Sequence, residues 1–409
     1  MLNKQFHIKA HYYCAILIAF CLPIARLTPI FIALMLLNWL TEGDFKNKFH
    51  AIIKNEFALL FISFYVMHLI GLIYTQNMSS GLFDIQVKFS LLVFPLIFAS
   101  RPFDKGKIKI IFFAFIAGGL VSSFILLTRA IYTYEAYGEN NFFYQAFSSY
   151  LIHPSYLSMY FNFIIAWLLI NILNGSFYRS KFSNRIAILI IIFFSIIIVL
   201  LSSKLGLITL FLQCIGFLVY FIISRKKYSI GIIGIVLIVI ASYSVIHFVP
   251  AIGGRINAAL GALNSSNGSE TDSESTAVRL LIWKAANQVI SENFLLGTGT
   301  GDSKDCLMKE YKKRGMAGAV EHTLNAHNEY YQVFVSIGVI GFIILISNLL
   351  FPLGYAVKTS NSIYILFILI LMLNFLPESM LETQAGVMFY AFFNSLLCFS
   401  DNKQLSNNF

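Results

Sequence analysis

His327 opens the run His327-Asn328-Glu329-Tyr330-Tyr331, at the boundary between a polar stretch and an apolar one. An imidazole can take a proton near neutral pH, which makes His327 a candidate general base. A lone histidine is more often structural, but this one has cations in unusual places for company. Arg26 stands in a tight turn between two apolar runs, and Lys204 stands in another turn, Leu201-Ser202-Ser203-Lys204-Leu205-Gly206. Arg279 lies in the polar stretch upstream of His327, while Lys88 and Arg129 fall within apolar runs. Arg26, Lys204 and Arg279 together would suit a phosphate or pyrophosphate. Arginine offers a planar fork for two oxygens, and lysine a point charge. Such a site calls for no metal and no cofactor.

Other polar residues could join it. His153, just before Pro154, could line the same cavity. Glu378 and Glu382, four apart, could hold cations or orient an acceptor; equally, they could belong to a solvated turn. His322 is five residues from His327, a poor spacing for two ligands on one helical face, and reads as loop. The run Gly297-Thr298-Gly299-Thr300-Gly301 is not a nucleotide phosphate loop, because no Lys-Ser/Thr follows its last glycine. There is no CxxC and no Cys/His cluster to suggest zinc. Cys14, Cys21, Cys214 and Cys398 lie in apolar runs and Cys306 in a polar segment, where one thiol cannot bridge to itself.

The elements that must position these residues are membrane helices. The chain has 409 residues, of which 58% are hydrophobic and 12% charged. A soluble domain carries about 45–50% apolar and about 25% charged residues. A mean hydropathy of +0.76 over this length excludes a single water-soluble core. The apolar runs approach ~20 residues, the length of a helical span and not of a barrel strand. The pattern predicts an all-α, polytopic helical bundle of about twelve spans: 12–24, 27–41, 55–75, 84–100, 108–131, 154–174, 186–202, 205–223, 228–249, 328–356, 361–376 and 383–400. The first two could instead form one broken helix. The run from Tyr12 has no small-residue cleavage site and leads into the next run, so it is not a cleaved leader.

The net charge of +10, from 29 Lys+Arg against 19 Asp+Glu, reads as membrane topology and not as nucleic-acid binding. With both termini cytoplasmic, basic residues cluster in alternate loops: Lys46, Lys48 and Lys54; Arg101 to Lys109; Arg179 to Arg185; Arg225 to Lys227. The opposite loops hold almost none, as the positive-inside rule requires. This arrangement puts Pro250–His327 outside and defines three regions: a bundle over 1–249, a large outer loop over 250–327 and a bundle over 328–409. The loop begins with the polar stretch Asn264–Ser275, which reads as mobile. A helix follows over Thr276–Phe294, with Val278, Leu281, Ile282, Ala285, Val289 and Ile290 on one face. Arg279 and Trp283 neighbour each other on it. A short helix is expected over Ser303–Arg314.

These residues carry a family resemblance. His327-Asn328, nine residues, then Gly338-Val339-Ile340-Gly341 resembles the signature of the O-antigen ligase family. Arg279-x3-Trp283 followed by Asn293-Phe294-Leu295-Leu296-Gly297-Thr298-Gly299 is similar to that family's loop pattern, with Asn293-Phe294 where a proline is common. The family includes O-antigen polymerases and protein O-oligosaccharyltransferases. The resemblance implies a bacterial inner-membrane enzyme whose large loop and active site face the periplasm. It implies transfer of a glycan from undecaprenyl pyrophosphate to an acceptor hydroxyl, such as a lipid A core sugar, without metal or nucleotide. The family's loop histidine falls on His327 and its loop arginine on Arg279. A further arginine falls on Lys204, which keeps the charge but loses the fork. On this reading Arg279, Lys204 and Arg26 hold pyrophosphate, His327 is the base, and Asn328, Trp283, Gly297 and Gly299 shape the site. Gly338 and Gly341 are expected to let their span approach a neighbour closely.

A transporter is the competing class. Transporters often show related halves or paired broken helices, and none is visible in this sequence.

Overall fold

The computed structural model describes residues 3–175, 181–226, 228–250, 252–254 and 276–400. The expected mobile stretch Asn264–Ser275 lies outside the described residues. Among those described, the chain is helical and has no strand. Eight helices are long and apolar enough to cross a membrane, and four shorter apolar helices accompany them. Each of them falls on one of the twelve expected apolar runs. The protein is a polytopic membrane helical bundle.

The chain divides into two compact units, 1–118 with 265–409, and 119–264. In the first unit, α1 (Lys4–Cys21) and α2 (Thr28–Thr41) form a hairpin. Asn38 of α2 bonds both the ring and the carbonyl of His7 in α1. A 3-10 turn, Leu22–Ile24, and Ala25 at φ 64° join them. The first two spans are thus separate helices, and α1 begins well before the expected Tyr12.

The polar stretch after α2 contains α3 (Phe45–Ile53), and α4 (Glu56–Ile73) follows. The span expected over 84–100 is two helices, α5 (Met78–Lys88) and α6 (Ser90–Ser100), broken at Phe89. Residues 78–83, expected as loop, are therefore helical. Asn77 caps α5 by accepting from the Ser80 N–H, a local signal that apolar periodicity does not contain. Helix α7 (Lys105–Tyr137) runs from the first unit into the second.

The second unit continues through α8 (Tyr144–Ser148), α9 (Pro154–Leu173), α10 (Lys181–Leu201), α11 (Lys204–Arg225) and α12 (Tyr228–Phe248). Helix α9 is buried on every face from Pro154 to Leu168 and packs on α10 and α11.

The first unit resumes with α13 (Thr276–Glu292), α14 (Ser303–Lys313) and α15 (Ala317–Glu321). The apolar stripe read from the sequence is the buried one: Val278, Ile282, Ala285 and Val289 close a small core with Leu307, Tyr311 and Val335. Then come α16 (Glu329–Lys358), α17 (Ser362–Asn374) and α18 (Gln384–Phe399). Helix α16 packs on α4, and α18 on α6. The Phe392 ring lies 5.2 Å from Phe94 and 5.6 Å from Phe98. All five cysteines are free thiols.

Helix α16 is broken at Ile337 and Gly338, where φ turns to +65°. The loop fills the break. Thr298 N–H donates to Val335 O at 2.8 Å, Gly299 N–H to Ser336 O at 2.9 Å, and Val339 N–H to Phe294 O at 2.9 Å. A Cβ on Gly338 would stand 2.3 Å from Leu295 O, and one on Gly297 2.5 Å from Gly338 N. Gly338 therefore admits the loop backbone, not a neighbouring span as expected. Gly341 faces the Ile337 side chain of its own helix, where an added Cβ would come within 2.2 Å. Here the glycines serve a left-handed turn and a backbone-to-backbone approach that no other residue allows.

Candidate functional site

The site is built in the first unit where α13, the start of α16 and the α17–α18 turn converge. Glu378 is its centre. One carboxylate oxygen takes Arg279 Nη2 at 2.7 Å, and the other lies 3.4 Å from His327 Nδ1. Arg279, His327 and Glu378 keep 22%, 23% and 14% of their side-chain surface open to solvent. All three are thus partly sheltered yet reachable. The turn acidic pair, which the sequence left open between cation binding and solvation, holds cations.

Local structure fixes His327 from several sides. Its φ is +44°, a left-handed conformation that costs energy for any residue with a side chain. The turn is held because Asn325 Oδ1 accepts the His327 N–H at 3.0 Å. Asn328 then reverts to extended backbone and caps α16, its Oδ1 accepting from the Tyr331 N–H at 3.1 Å. Such a cap contributes about 1 kcal/mol. Asn328 N–H donates to Ser379 Oγ, and Glu329 N–H to Phe375 O. Glu329 Oε2 in turn accepts the Leu381 N–H at 2.7 Å. These bonds bind the start of α16, and so His327, to the turn that carries Glu378.

Trp283 completes the support. It lies one helical turn after Arg279 and stacks on Tyr331, with centroids 5.9 Å apart and planes 8° apart. Its Nε1–H donates to the carbonyl of Ala326, the residue before His327. The Tyr311 hydroxyl reaches Asn325 O at 3.5 Å. Burial pushes this phenol above its ordinary range, so it stays a neutral donor.

Gly297 and Gly299 act one step further back. The amides of the glycine run point into the protein: Thr300 N–H donates to Gly71 O, and Gly301 N–H to Thr75 Oγ1. Asp302 accepts from the Gln76 and Asn77 amides, both at 2.7 Å. The run docks the loop on the end of α4 and on the break in α16.

Beside this site lies a second ionic cluster, around Glu382. Its Oε1 holds Lys88 Nζ at 2.8 Å, and Lys88 also binds Asp84 Oδ1 at 2.6 Å. Lys88 is fully buried, and both its partners are carboxylates. Gln332 joins in, with Nε2 donating to Glu382 Oε2 and to Ser303 Oγ, each at 3.3 Å.

Arg26 is exposed in the turn between α1 and α2, and His322 is exposed at the end of α15. Lys204 and His153 belong to the second unit. Lys204 is the first residue of α11, behind the Ser203 cap. His153 caps α9 and lies 6.2 Å, ring to ring, from both Tyr144 and Tyr156. Sequence reasoning missed Asp84, Ser379 and Glu329. For Asp84 a signal existed, since an acid four residues before Lys88 on one helix marks an ion pair. Among the described residues no group of His, Cys, Asp and Glu could hold a metal.

Fold and site define a class: a multi-pass membrane protein with a reachable histidine–carboxylate–arginine cluster where a polar loop meets the bundle. Residues 188–346 match the family model described as O-antigen ligase. This match supports the O-antigen ligase/polymerase superfamily for the chain, as the motifs imply. The matched residues include Lys204, Arg279, Trp283 and His327, whereas Glu378 and Glu382 lie beyond them. An uncharacterized protein of Haemophilus influenzae is 28% identical over 155 residues. That similarity takes in 36% of this chain and 38% of the relative's length.

Proposed function

We propose that the protein is a glycan transferase of the bacterial inner membrane, acting as an O-antigen ligase at the periplasmic face. Its donor is a glycan on undecaprenyl pyrophosphate, and its acceptor is a hydroxyl of a lipid A core sugar. The observation that carries this reading is the shared carboxylate, Glu378, between His327 and Arg279.

A carboxylate against Nδ1 favours the tautomer with its proton there and leaves Nε2 free to take one. His327 Nε2 would remove the proton of the acceptor hydroxyl as its oxygen bonds to the anomeric carbon. The bond from that carbon to the pyrophosphate oxygen breaks, and undecaprenyl pyrophosphate leaves with the electron pair. Glu378 steadies the imidazolium that forms. The proton passes from His327 to solvent.

Arg279 supplies the complementary charge. One of its guanidinium nitrogens is bonded to Glu378, and the fork has further donors for phosphate oxygens. Fixed positive charge at a developing oxyanion is usually the largest single catalytic contribution. His327 as base is worth roughly 10²–10⁴-fold.

The test compares strains carrying the wild-type protein, His327→Ala or no protein. Their lipopolysaccharide is run on gels and their lipid-linked glycans are extracted. A ligase predicts loss of surface glycan and full-length chains on the lipid carrier in both the variant and the null strain. Single-repeat surface glycan would identify a polymerase instead. Unchanged profiles in the null strain, with glycoproteins altered, would point to a protein O-oligosaccharyltransferase.

A further inference from the structure

Arg129 takes no part in the site described above. It lies on α7, on the stretch that belongs to the second unit, beside a shallow, open cavity of about 760 Å³ within that unit. Its guanidinium carbon stands 4.9 Å over the Tyr150 ring. Its Nη1 is buried and has no hydrogen-bond partner. A guanidinium nitrogen buried without an acceptor loses hydration and gains nothing in return. A ring face holds the cation in place but does not replace that acceptor.

The lining has a polarity. Val121, Phe124 and Ile125 form one end; Arg129, Tyr132 and Tyr150 form the other, with the Thr128 hydroxyl between. The α7 residues fall at helical spacing on one face and cover about 16 Å along the axis, at ~1.5 Å per residue. Val121 and Phe124 are exposed on a helix long and apolar enough to cross a membrane, so acyl chains are their natural surroundings. Tyrosines gather at the other end, as they do where a span meets the headgroup layer.

We propose that this cavity binds an anionic phospholipid of the surrounding membrane. Its phosphodiester accepts from the Arg129 guanidinium, and one acyl chain lies along Val121, Phe124 and Ile125. Among the described residues lining the cavity Arg129 alone is charged. One guanidinium matches the single charge of a phosphodiester, whereas a pyrophosphate calls for more than one cation. The site is therefore a lipid anchor of the second unit, separate in its ligand from the donor proposed above.

The experiment places the full-length protein in vesicles of phosphatidylethanolamine and phosphatidylglycerol. A trace of phosphatidylglycerol carries a photoactivatable group on one acyl chain, and the cross-linked peptides are mapped. The expected result is labelling at Val121–Tyr132 about tenfold above that from an equally labelled phosphatidylcholine. Arg129→Gln should remove that preference and Arg129→Lys should retain part of it. Val121→Trp, which fills the apolar end and leaves the charge alone, should reduce labelling by either lipid. This second variant serves if Arg129→Gln does not fold. Equal labelling by the two lipids, or labelling unaffected by both Arg129→Gln and Val121→Trp, would overturn the proposal. So would displacement of the probe by a polyprenyl pyrophosphate at a far lower mole fraction than by phosphatidylglycerol.

Discussion

Glu378 and Glu382 stand four residues apart in one turn, and each holds a cation, but they hold different kinds. Glu378 binds Arg279 and His327, both more than a fifth exposed. Glu382 binds Lys88, which has no exposed surface and is shared with Asp84. In the first pairing all three side chains keep part of their surface open to solvent. In the second only the cation is sealed: Lys88 is fully buried, while Asp84 and Glu382 keep 16% and 19% of their side-chain surface open. The difference lies in the cations: Arg279 and His327 can also meet a molecule from outside, whereas buried Lys88 serves as an anchor. The anchor serves the site, because Glu382 and Glu329 hold the turn that presents Glu378.

Four substitutions test this division, from the largest expected effect to the smallest. His327→Ala should lower kcat by roughly 10²–10⁴-fold while the unfolding temperature of the detergent-solubilised protein stays within error. Lys88→Met should do the reverse. It leaves Asp84 and Glu382 facing each other without a cation, a change that costs about 3–5 kcal/mol when a buried pair is broken. Thermal unfolding should therefore fall steeply, while the folded fraction retains most of its turnover.

Glu378→Gln should cost roughly 10²-fold in kcat, since an amide can still bond the imidazole but cannot balance its charge. Little stability should be lost, given the partial exposure of the ion pair. Gly338→Ala should cost about 1–3 kcal/mol for a side chain at positive φ. Its Cβ would also push on Leu295 O, so the loop should shift. The check is faster proteolysis within 293–301 than in the wild type.

Much of this arrangement is legible in the sequence, and the limits have physical causes. Helical periodicity shows which face of an element is buried, so the stripe on α13 and the bounds of α14 follow from it closely. The apolar runs mark the eight long apolar helices and the four shorter ones for the same reason. Periodicity is silent on which elements meet. Arg279 and Glu378 are 99 residues apart and Lys88 and Glu382 are 294 apart. The sequence marks these cations and both carboxylates as candidates, but not which carboxylate meets which cation.

The span read over 84–100 is one apolar stretch from Met78 to Ser100, and the local turn at Phe89 leaves no mark on its hydropathy. The GxxG motif was visible too, but its service to a kink filled by Phe294–Gly299 depends on φ at Gly338, which hydropathy does not encode. The structure brings together Arg279, His327, Trp283, Asn328 and Glu378.

The measurement that tests the central claim most directly is a paired one on Glu378→Gln and Glu382→Gln. Both variants and the wild type would be purified, and single-turnover transfer from a polyprenyl-pyrophosphate glycan to an acceptor sugar would be timed at saturating donor, beside thermal unfolding. The account predicts that Glu378→Gln slows the transfer step and melts like the wild type, whereas Glu382→Gln melts earlier and transfers at nearly the wild-type rate per folded molecule. Wild-type transfer by Glu378→Gln, or an equal loss of rate in Glu382→Gln with unchanged melting, would contradict it.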